Sequence, residues 1–358
     1  MVVVMKPGAP DEHVDAVVSR VREAGFEAFV SRGVNRTIIG MVGDVDEVRA
    51  LNLRAMNGVA EVVRVSSPYK LVGLDNHPGR STVLVGGPDG VPIGPDTFTL
   101  IAGPCAVESL DQTLESAEMA RAAGASMLRG GAFKPRTSPD SFQGLGEDGL
   151  RILAQARAAT GLPVVSEVLD AHDVPLVASY ADMLQIGTRN MHNYALLQAV
   201  GSSRLPVLLK RGMQATIEEW LTAAEYIAQR GNLDVVLCER GIRTFETATR
   251  NTLDIGAVPV VQRLTHLPVV VDPSHSGGRR ELVLPLSRAA IGVGADGLLV
   301  DVHPDPEQAL VDGPQALSGA DLRELASAVR RLPPLLGRKP AERLEPADLR
   351  ELSGRTTG

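Results

Sequence analysis

Short apolar segments alternate with amphipathic segments along most of the chain, beginning at Phe98. Eight apolar segments have the length of β-strands: Phe98–Ala102, Ser126–Arg129, Pro163–Glu167, Met183–Ile186, Pro206–Lys210, Val235–Cys238, Pro268–Asp272 and Gly297–Asp301. Helical spacing of apolar residues between them predicts helices, including Leu110–Ala123, Glu147–Thr160, Ile217–Arg230, Leu284–Val293 and Asp321–Leu332. Eight strand–helix units within about 250 residues have the order and size of a TIM barrel. We therefore predict an α/β fold with a (β/α)8 barrel at residues 98–338 and a C-terminal tail at 339–358.

The first 70 residues follow a different pattern and are predicted to form a small domain of their own. Strands are indicated at Val2–Met5, Phe26–Ser31, Arg36–Val42 and Val59–Val65. Helices are expected to begin near Asp11, which can cap the first one, and near Asp44. The order βαββαβ is that of a ferredoxin-like α+β domain. No catalytic residue types cluster there, so regulation or assembly is the predicted role, and a purely structural role is the alternative.

Residues 71–97 are predicted to be a connector that contains a β-hairpin. The apolar segments Thr82–Val85 and Val91–Ile93 flank Gly87-Pro88-Asp89-Gly90, a sequence typical of a turn. We expect this hairpin to close the bottom of the barrel.

Composition excludes several classes of protein. The 358 residues have a net charge of -7 and 44% hydrophobic content, so a globular protein without a nucleic-acid partner is expected. Apolar runs fall short of the ~18 residues that span a bilayer, and Met1–Met5 is too short for a signal peptide. We therefore expect a cytoplasmic protein with no membrane partner. The two cysteines do not indicate a disulfide framework, and Cys238, inside a strand, is interpreted as a small buried residue.

A reactive or charged side chain stands at the carboxyl end of every predicted barrel strand. In chain order these are Cys105, Arg129, Glu167, Arg189, Lys210, Arg240, His275 and Asp301. Active sites of TIM barrels lie at this end of the strands. A barrel with no site at this end would place such residues there only occasionally, so the pattern predicts an active site.

Positive charge dominates this predicted rim. The glycine- and proline-rich stretch Leu128–Gly146 alone holds Arg129, Lys134 and Arg136, with the hydroxyls of Thr137 and Ser138 close by. Arg189, Lys210 and Arg240 bring the number of cations at this end to six, and these cations would repel one another without counter-anions. A substrate with several negative charges is therefore predicted, such as a phosphorylated carboxylate together with a phosphosugar. The alternative for any one cation is an ion pair with a neighbouring acidic residue.

A second set, Cys105, His275, Asp301 and Asp312, has the chemistry of metal ligands. Thiolate, imidazole and carboxylates together suit a divalent transition-metal ion. Their spacing forms no short metal motif, and a lone buried cysteine is often only a small apolar residue. Cys105 differs from that case because Gly103-Pro104 places it just after a strand.

These residues lie in motifs that resemble the 3-deoxy-D-arabino-heptulosonate 7-phosphate (DAHP) synthase family, in the subclass with an N-terminal ferredoxin-like domain. The motifs are Ile101-Ala102-Gly103-Pro104-Cys105, Lys134-Pro135-Arg136-Thr137-Ser138, Gln185-Ile186-Gly187-Thr188-Arg189-Asn190, Leu208-Leu209-Lys210-Arg211-Gly212, Leu237-Cys238-Glu239-Arg240-Gly241 and Asp272-Pro273-Ser274-His275. The resemblance extends from the N-terminus to about residue 335.

The resemblance implies a transferase that condenses phosphoenolpyruvate with erythrose 4-phosphate in the first step of the shikimate pathway. It implies that phosphoenolpyruvate and the phosphosugar are bound by Arg129, Lys134, Arg136, Thr137, Thr188, Arg189, Lys210 and Arg240. Among these, Arg136 and Thr137 would hold the phosphate of the sugar. A further residue, Glu167, would orient the attacking water. Lys134, Glu167, His275 and Cys105 are the implied catalytic residues. The implied cofactor is one divalent ion, Mn²⁺, Fe²⁺, Co²⁺ or Zn²⁺, held by Cys105, His275, Asp301 and Asp312.

The resemblance also implies a homotetramer with feedback inhibition by an aromatic amino acid, with tyrosine favoured. One position departs from the family, which usually has Glu where this chain has Asp301. Because Asp is one methylene shorter, it would coordinate at a stretch, through water or after a backbone shift.

Three alternatives remain open from the sequence. The sister synthase that makes 3-deoxy-D-manno-octulosonate 8-phosphate has Asn where this chain has Pro135-Arg136, and it lacks the N-terminal domain. A Schiff-base aldolase would use Lys210 as an amine nucleophile. A non-catalytic effector-binding protein would be consistent with the shortened Asp301.

Overall fold

The computed structural model describes residues 1–33, 36–42, 51–63, 68–135 and 138–342, with Val42 described for its backbone alone. The chain divides into two compact units, Met1–Pro68 and Tyr69–Gly358.

The first unit contains an antiparallel sheet covered on one side by a helix. Its elements are β1 (Val2–Met5), α1 (Asp11–Glu23), β2 (Glu27–Arg32), β3 (Thr37–Val42) and β4 (Val59–Val63). The strand order is β2-β3-β1-β4, and each neighbouring pair is antiparallel. Valines spaced along one face of α1 pack on Val3, Met5 and Ile39 of the sheet. The predicted small α+β domain is therefore present, and the helix expected near Asp44 lies outside the described residues.

The predicted cap of α1 is wrong. Pro10 precedes the helix, Asp11 is its first residue, and no side chain caps it. The Asp11 carboxylate pairs instead with Arg32 at the end of β2. Pro10 occupies the capping position and has no side-chain acceptor, so it cannot cap the N–H groups of the first turn. Its carbonyl accepts a hydrogen bond of 3.0 Å from the His13 N–H.

A hairpin and a parallel barrel make up the second unit. The hairpin strands are β5 (Val83–Val85) and β6 (Val91–Ile93). The barrel strands are β7 (Thr97–Gly103), β8 (Met127–Arg129), β9 (Val164–Val168), β10 (Met183–Ile186), β11 (Val207–Lys210), β12 (Val235–Glu239), β13 (Val269–Val271) and β14 (Gly297–Asp301). All neighbouring pairs are parallel, and β14 pairs with β7 to close the barrel. The predicted TIM barrel is confirmed, with strand ends within one residue of those expected from the sequence.

Helices follow the strands around the outside of the barrel. They are α2 (Leu110–Ala122), α3 (Glu147–Thr160), α4 (Val174–Ala178), α5 (Tyr194–Ser202), α6 (Ile217–Ala228), α7 (Ala257–Leu264), α8 (Pro273–Gly277), α9 (Arg280–Gly292) and α10 (Gly319–Leu335). Ser109, Thr216 and Ser318 begin α2, α6 and α10 by accepting hydrogen bonds from backbone N–H groups of the first turn. Beyond α10, β15 (Lys339–Pro340) pairs in parallel with β7, so the first residues of the predicted tail join the sheet. Within the described ranges, the helices lack the combination of length and apolar character that crossing a membrane requires.

Inward-pointing residues fill the barrel and pack against the hairpin. One buried cluster joins the hairpin valines and Ile93 with interior residues that include Met127, Met183 and Cys238. The hydroxyls of Thr97 and Thr99, at the start of β7, donate hydrogen bonds of 3.1 and 3.0 Å to the Pro92 carbonyl. The hairpin therefore lies at the amino-terminal end of the strands. Burial raises the pKa of the Cys238 thiol, in agreement with its interpretation as a small apolar residue.

Candidate active site

Cys105 lies just beyond β7, at the carboxyl-terminal end of the barrel. The turn into it needs Gly103, because a Cβ at that residue would lie 2.1 Å from the Arg129 carbonyl oxygen. The Cys105 Sγ atom is 3.2 Å from Asp312 Oδ2 and 3.8 Å from His275 Nε2. Burial raises the pKa of this thiol, but the neighbouring Lys134 ammonium, 3.1 Å from Sγ, outweighs burial with the help of further groups, and the pKa is lowered. A lowered pKa favours the thiolate, the form that binds metals.

His275 lies in the short helix α8, whose entry is fixed by Asp272. The Asp272 carboxylate accepts a hydrogen bond of 2.9 Å from the His275 backbone N–H and lies 2.9 Å from its Nδ1. Burial lowers the pKa of His275, but Asp272 and then Asp301 raise it to about 10. Because Nδ1 faces Asp272, the other ring nitrogen, Nε2, faces Cys105 and Asp312.

The two remaining predicted ligands come from the end of β14 and from the loop after it. Asp301 is the last residue of β14, and Asp312 follows in a left-handed backbone conformation, with φ of 56°. Burial raises the pKa of Asp312, but hydrogen bonding to His275 and nearby positive charge lower it well below its usual range.

The structure brings all four predicted metal ligands together. One ligand atom from each of Cys105, His275, Asp301 and Asp312 lies within 4.8 Å of the others. A thiol, an imidazole and two carboxylates at this separation fit a divalent transition-metal ion.

A cavity of about 370 Å³ opens beside this cluster. Among the residues that line it are Arg129, Lys134, Glu167, Thr188, Arg189, Lys210, Arg240, Arg250, His275 and Asp312. The structure therefore gathers the sequence-predicted binding residues around one cavity, apart from Arg136 and Thr137, which lie outside the described residues. Cys105 and Asp301 contact two of the lining residues, Lys134 and Arg129 respectively.

Three buried cations at the cavity differ in whether they have an acidic partner. Arg129 forms a buried ion pair with Asp301 at 2.7 Å, and Lys210 forms one with Asp272 at 2.6 Å. These two cations therefore have buried acidic partners and also line the cavity. Arg240 is 5% exposed, and its guanidinium donates one long hydrogen bond, 3.4 Å, to the Gly241 carbonyl. Within the described ranges Arg240 has no carboxylate at ion-pair distance, and burial lowers its pKa.

Glu167 is held in the cavity wall by Gln185 on β10 and by Gly187, the residue after that strand. Its Oε2 accepts a hydrogen bond of 3.2 Å from Gln185. Its Oε1 lies against Gly187, where an added Cβ would come within 1.9 Å of it. The absence of a side chain at Gly187 therefore allows the carboxylate to occupy this place.

Sequence reasoning missed several residues that contact the site. Asp272 is predicted only as the end of a strand and as part of a motif, without a role of its own, although its carboxylate contacts both Lys210 and His275. Arg250 and Gln315 are absent from the sequence prediction. Arg250 Nη1 lies 3.1 Å from Asp312 Oδ1, and Gln315 Nε2 donates a hydrogen bond of 2.6 Å to Asp301 Oδ2. Arg250 lies in a loop and Gln315 in a single 3-10 turn, Gly313–Gln315, and neither segment is long enough to show a periodic sequence pattern.

Comparison with known proteins places both units in one group. Residues 75–336 match the DAHP synthetase I family, and residues 1–67 match the DAHP synthase ferredoxin-like domain. The phospho-2-dehydro-3-deoxyheptonate aldolase of Thermotoga maritima is 52% identical over 339 residues, covering 95% of this chain and 99% of the relative. The 2-dehydro-3-deoxyphosphooctonate aldolase of Magnetococcus marinus is 35% identical over 254 residues, covering 66% of this chain and 87% of the relative.

Solved structures agree with these sequence matches. The crystal structure of the Thermotoga maritima phospho-2-dehydro-3-deoxyheptonate aldolase has a TM-score of 0.90 and 51% identity, covering 95% of this chain and 98% of that one. A truncated form of the DAHP synthase from the same organism has a TM-score of 0.71 and 51% identity, covering 76% of this chain and 99% of that one.

Proposed function

This chain belongs to the DAHP synthetase I family, and we propose that it condenses phosphoenolpyruvate with erythrose 4-phosphate with the help of a bound divalent metal ion. The products are 3-deoxy-D-arabino-heptulosonate 7-phosphate and inorganic phosphate. In this proposal the enzyme works in the cytoplasm, at the first step of the shikimate pathway.

The observation that best supports this proposal is the combination of a cationic cavity with a four-residue ligand cluster at its edge. Phosphoenolpyruvate carries a carboxylate and a phosphate, and the sugar carries a second phosphate. Buried arginine and lysine side chains suit such anions, because charge-assisted hydrogen bonds are strong where water is largely excluded.

In the proposed reaction, C3 of phosphoenolpyruvate forms a bond to the aldehyde carbon of the sugar, water adds at C2, and phosphate leaves. Arg129, Lys134, Arg189, Lys210 and Arg240 hold phosphoenolpyruvate and stabilise the charge that develops on the departing phosphate. The sugar phosphate is assigned to Arg136 and Thr137, and Thr188 is assigned to the substrate-binding residues.

Glu167 is assigned to the water that adds at C2. Gln185 and the close backbone at Gly187 fix its carboxylate at the cavity wall. A carboxylate fixed in this way can orient a water molecule and accept a proton from it.

The metal is assigned to Cys105, His275, Asp301 and Asp312, whose donor types fit a divalent transition-metal ion. When bound there, such an ion would act as a Lewis acid toward the aldehyde oxygen. Lys134 supports the thiolate form of Cys105, and Asp272 orients the His275 ring so that Nε2 faces the cluster.

The contacts of Lys210 disfavour a Schiff-base mechanism. Burial lowers the pKa of this ammonium group, but the Asp272 carboxylate at 2.6 Å outweighs burial and raises it. A Schiff base requires a neutral amine as the nucleophile, whereas this ion pair favours the protonated form.

The test is phosphate release from phosphoenolpyruvate, measured with a four-carbon and a five-carbon phosphosugar, with and without a chelator. We expect release with erythrose 4-phosphate, loss of release in the chelator, and recovery when a divalent ion is added. Preference for arabinose 5-phosphate would instead identify the octulosonate reaction. Borohydride trapping with chelator-insensitive turnover would identify a Schiff base, and no release with any metal would leave a non-catalytic protein.

For the N-terminal unit, we propose regulation by an aromatic amino acid, tyrosine, within a homotetramer. One face of its sheet is apolar and exposed in the unit, with Phe29 at 58%, Ile38 at 39% and Val63 at 38% exposure. An apolar sheet face of this kind is normally covered by another element or subunit. A chain that starts at Tyr69 should keep turnover and lose inhibition by tyrosine. Inhibition that persists in the shortened chain would place the effector site in the barrel instead.

A further inference from the structure

The turn that carries Asp312 also carries Gln315, and the two residues serve the same cluster. Asp312 begins the turn, and the Gln315 backbone N–H donates a hydrogen bond of 3.2 Å to its carbonyl. The Gln315 side chain is 2% exposed and donates from Nε2 to Asp301 Oδ2 at 2.6 Å. The other oxygen of Asp301 accepts a hydrogen bond of 2.7 Å from Arg129. Asp301 is therefore held from two sides, by Arg129 and by Gln315.

Arg250 joins this arrangement from the loop after β12. Its Nη1 donates a hydrogen bond of 2.8 Å to Gln315 Oε1 and one of 3.1 Å to Asp312 Oδ1. The guanidinium can only donate and the Asp301 carboxylate can only accept, so the amide between them has one orientation that satisfies both. Arg250 binds Oδ1 of Asp312, and the other oxygen of that carboxylate, Oδ2, faces Cys105 and His275.

The backbone around Arg250 is fixed to the helix that carries His275. Its N–H donates a hydrogen bond of 3.3 Å to the Gly277 carbonyl, and the side chain of Asn251 donates one of 3.1 Å to the His275 carbonyl. Gly278 leaves room for this approach, because an added Cβ there would lie 2.5 Å from Arg250 Cβ. One short segment thus contacts the helix of one cluster residue and the side chain of another.

We propose that Arg250 and Gln315 are positioning residues that set the metal affinity of the site by fixing the carboxylates of Asp301 and Asp312. Neither side chain needs to touch the ion. Each occupies a carboxylate oxygen and so determines which way the remaining lone pairs point. The inference rests on the metal site assigned under Proposed function, and it adds residues that lie outside the four ligands.

A competing explanation for Arg250 is direct contact with a substrate anion. Its side chain is 42% exposed and lines the cavity. Metal affinity measured without substrate separates the two explanations. A residue that fixes the carboxylates changes metal affinity in the absence of substrate, whereas a substrate contact changes only the half-saturating substrate concentration.

The experiment uses the full chain and four variants: Arg250→Met, Arg250→Lys, Gln315→Leu and, as a control, Arg288→Met. Arg288 also pairs with a carboxylate, Glu324 at 3.2 Å, but on an exposed helix face. Dissociation constants for Co²⁺ and Zn²⁺ are measured by competition with a chromophoric chelator. The Co²⁺ absorption spectrum reports thiolate coordination and ligand geometry, and melting of the metal-free chains checks folding.

We expect Arg250→Met and Gln315→Leu each to weaken metal binding about 10- to 100-fold, the range found when residues behind metal ligands are removed. The Co²⁺ spectrum should change with them, and turnover should recover at saturating metal. Arg250→Lys keeps a positive charge beside Asp312 and should recover part of the affinity. Arg288→Met should match the parent in every measurement.

Metal affinities within twofold of the parent and an unchanged Co²⁺ spectrum in both Arg250→Met and Gln315→Leu would overturn the proposal. So would an Arg250→Met variant in which only the half-saturating substrate concentration changes. If the parent itself binds neither Co²⁺ nor Zn²⁺, the metal site is wrong and the positioning role falls with it. If the parent binds metal and the variants bind it equally well, only the positioning role is wrong.

Discussion

Arg240 gives the sharpest test of the cationic cavity, because its replacement should have opposite effects on stability and on substrate binding. The residue is 5% exposed, and among the described residues its guanidinium makes one hydrogen bond, of 3.4 Å, to a carbonyl. A buried charge with so few partners costs stability. Such an arrangement is expected where a cation is held ready for an anionic substrate. The substitution Arg240→Met removes the charge and keeps most of the apolar stem.

The expected magnitudes follow from these contacts. Replacing buried charges with apolar side chains of similar volume is often neutral or stabilising by about 1–4 kcal/mol. We therefore expect the free energy of unfolding of Arg240→Met to lie between that of the parent and about 4 kcal/mol above it. The loss of one charge-assisted contact to phosphoenolpyruvate costs about 1.5–3 kcal/mol. This corresponds to about a 10- to 150-fold rise in its half-saturating concentration.

Lys210→Met is the matched comparison within the same cavity. Lys210 is also buried, but it forms an ion pair of 2.6 Å with Asp272. Removing one partner of a buried ion pair leaves the other charge buried and unpaired, which lowers the free energy of unfolding by about 3–5 kcal/mol. Because Asp272 also contacts His275, a smaller loss is expected here. Lys210→Met should therefore lose stability, whereas Arg240→Met should not.

Denaturant unfolding and phosphoenolpyruvate titration of the parent and both variants measure these effects. If Arg240→Met loses more than about 1 kcal/mol of stability while its half-saturating phosphoenolpyruvate concentration stays unchanged, Arg240 is a structural residue. The assignment of this side chain to the substrate would then be wrong.

Three further substitutions test the rest of the site. Cys105→Ala should release the metal on dialysis and abolish turnover, and metal content that stays equal to the parent's would contradict the ligand assignment. Gly187→Ala places a Cβ 1.9 Å from Glu167 Oε1 and should displace that carboxylate, so turnover should fall by at least about tenfold. The control is Gly292→Ala in a helix, where the added Cβ meets no atom within 4 Å. Asp301→Glu should bind metal at least as tightly as the parent and keep activity, as measured by chelator competition; a folded variant that loses metal would show that the site has adapted to Asp.

Much of the barrel could be predicted because its strands are short and apolar and each is followed by a polar residue at the same end. Strands buried on both faces are nearly continuous apolar runs, so Met183–Ile186 and Gly297–Asp301 were located to the residue. The rim followed from the same regularity, since the carboxyl ends of parallel strands meet at one end of a barrel.

Residues that act through other side chains could not be predicted in this way. Asp272 differs from other strand-end carboxylates only because Lys210 and His275 both face it. Arg250 and Gln315 lie 65 residues apart, and their contact depends on the path of two loops. The failed cap at Asp11 has a local cause, because Asp11 is already the first helical residue and the capping position before it is Pro10.

The position of Asp301 can be explained by the structure but not by the sequence. A shorter ligand could reach the metal after a backbone shift, but Asp301 pairs with Gly103 where β14 closes the barrel. Its N–H also donates a hydrogen bond of 3.1 Å to the Ser274 hydroxyl. Moving this backbone would disrupt both contacts at the end of the closing strand pair, so we expect the adjustment to come from side chains. Gln315 and Arg129 hold the short carboxylate, and its ligand atom lies within 4.8 Å of the other three. The shorter side chain is therefore accommodated by the side chains that approach the carboxylate, with the strand unchanged. Because these side chains can move, Asp301→Glu is still expected to keep the metal.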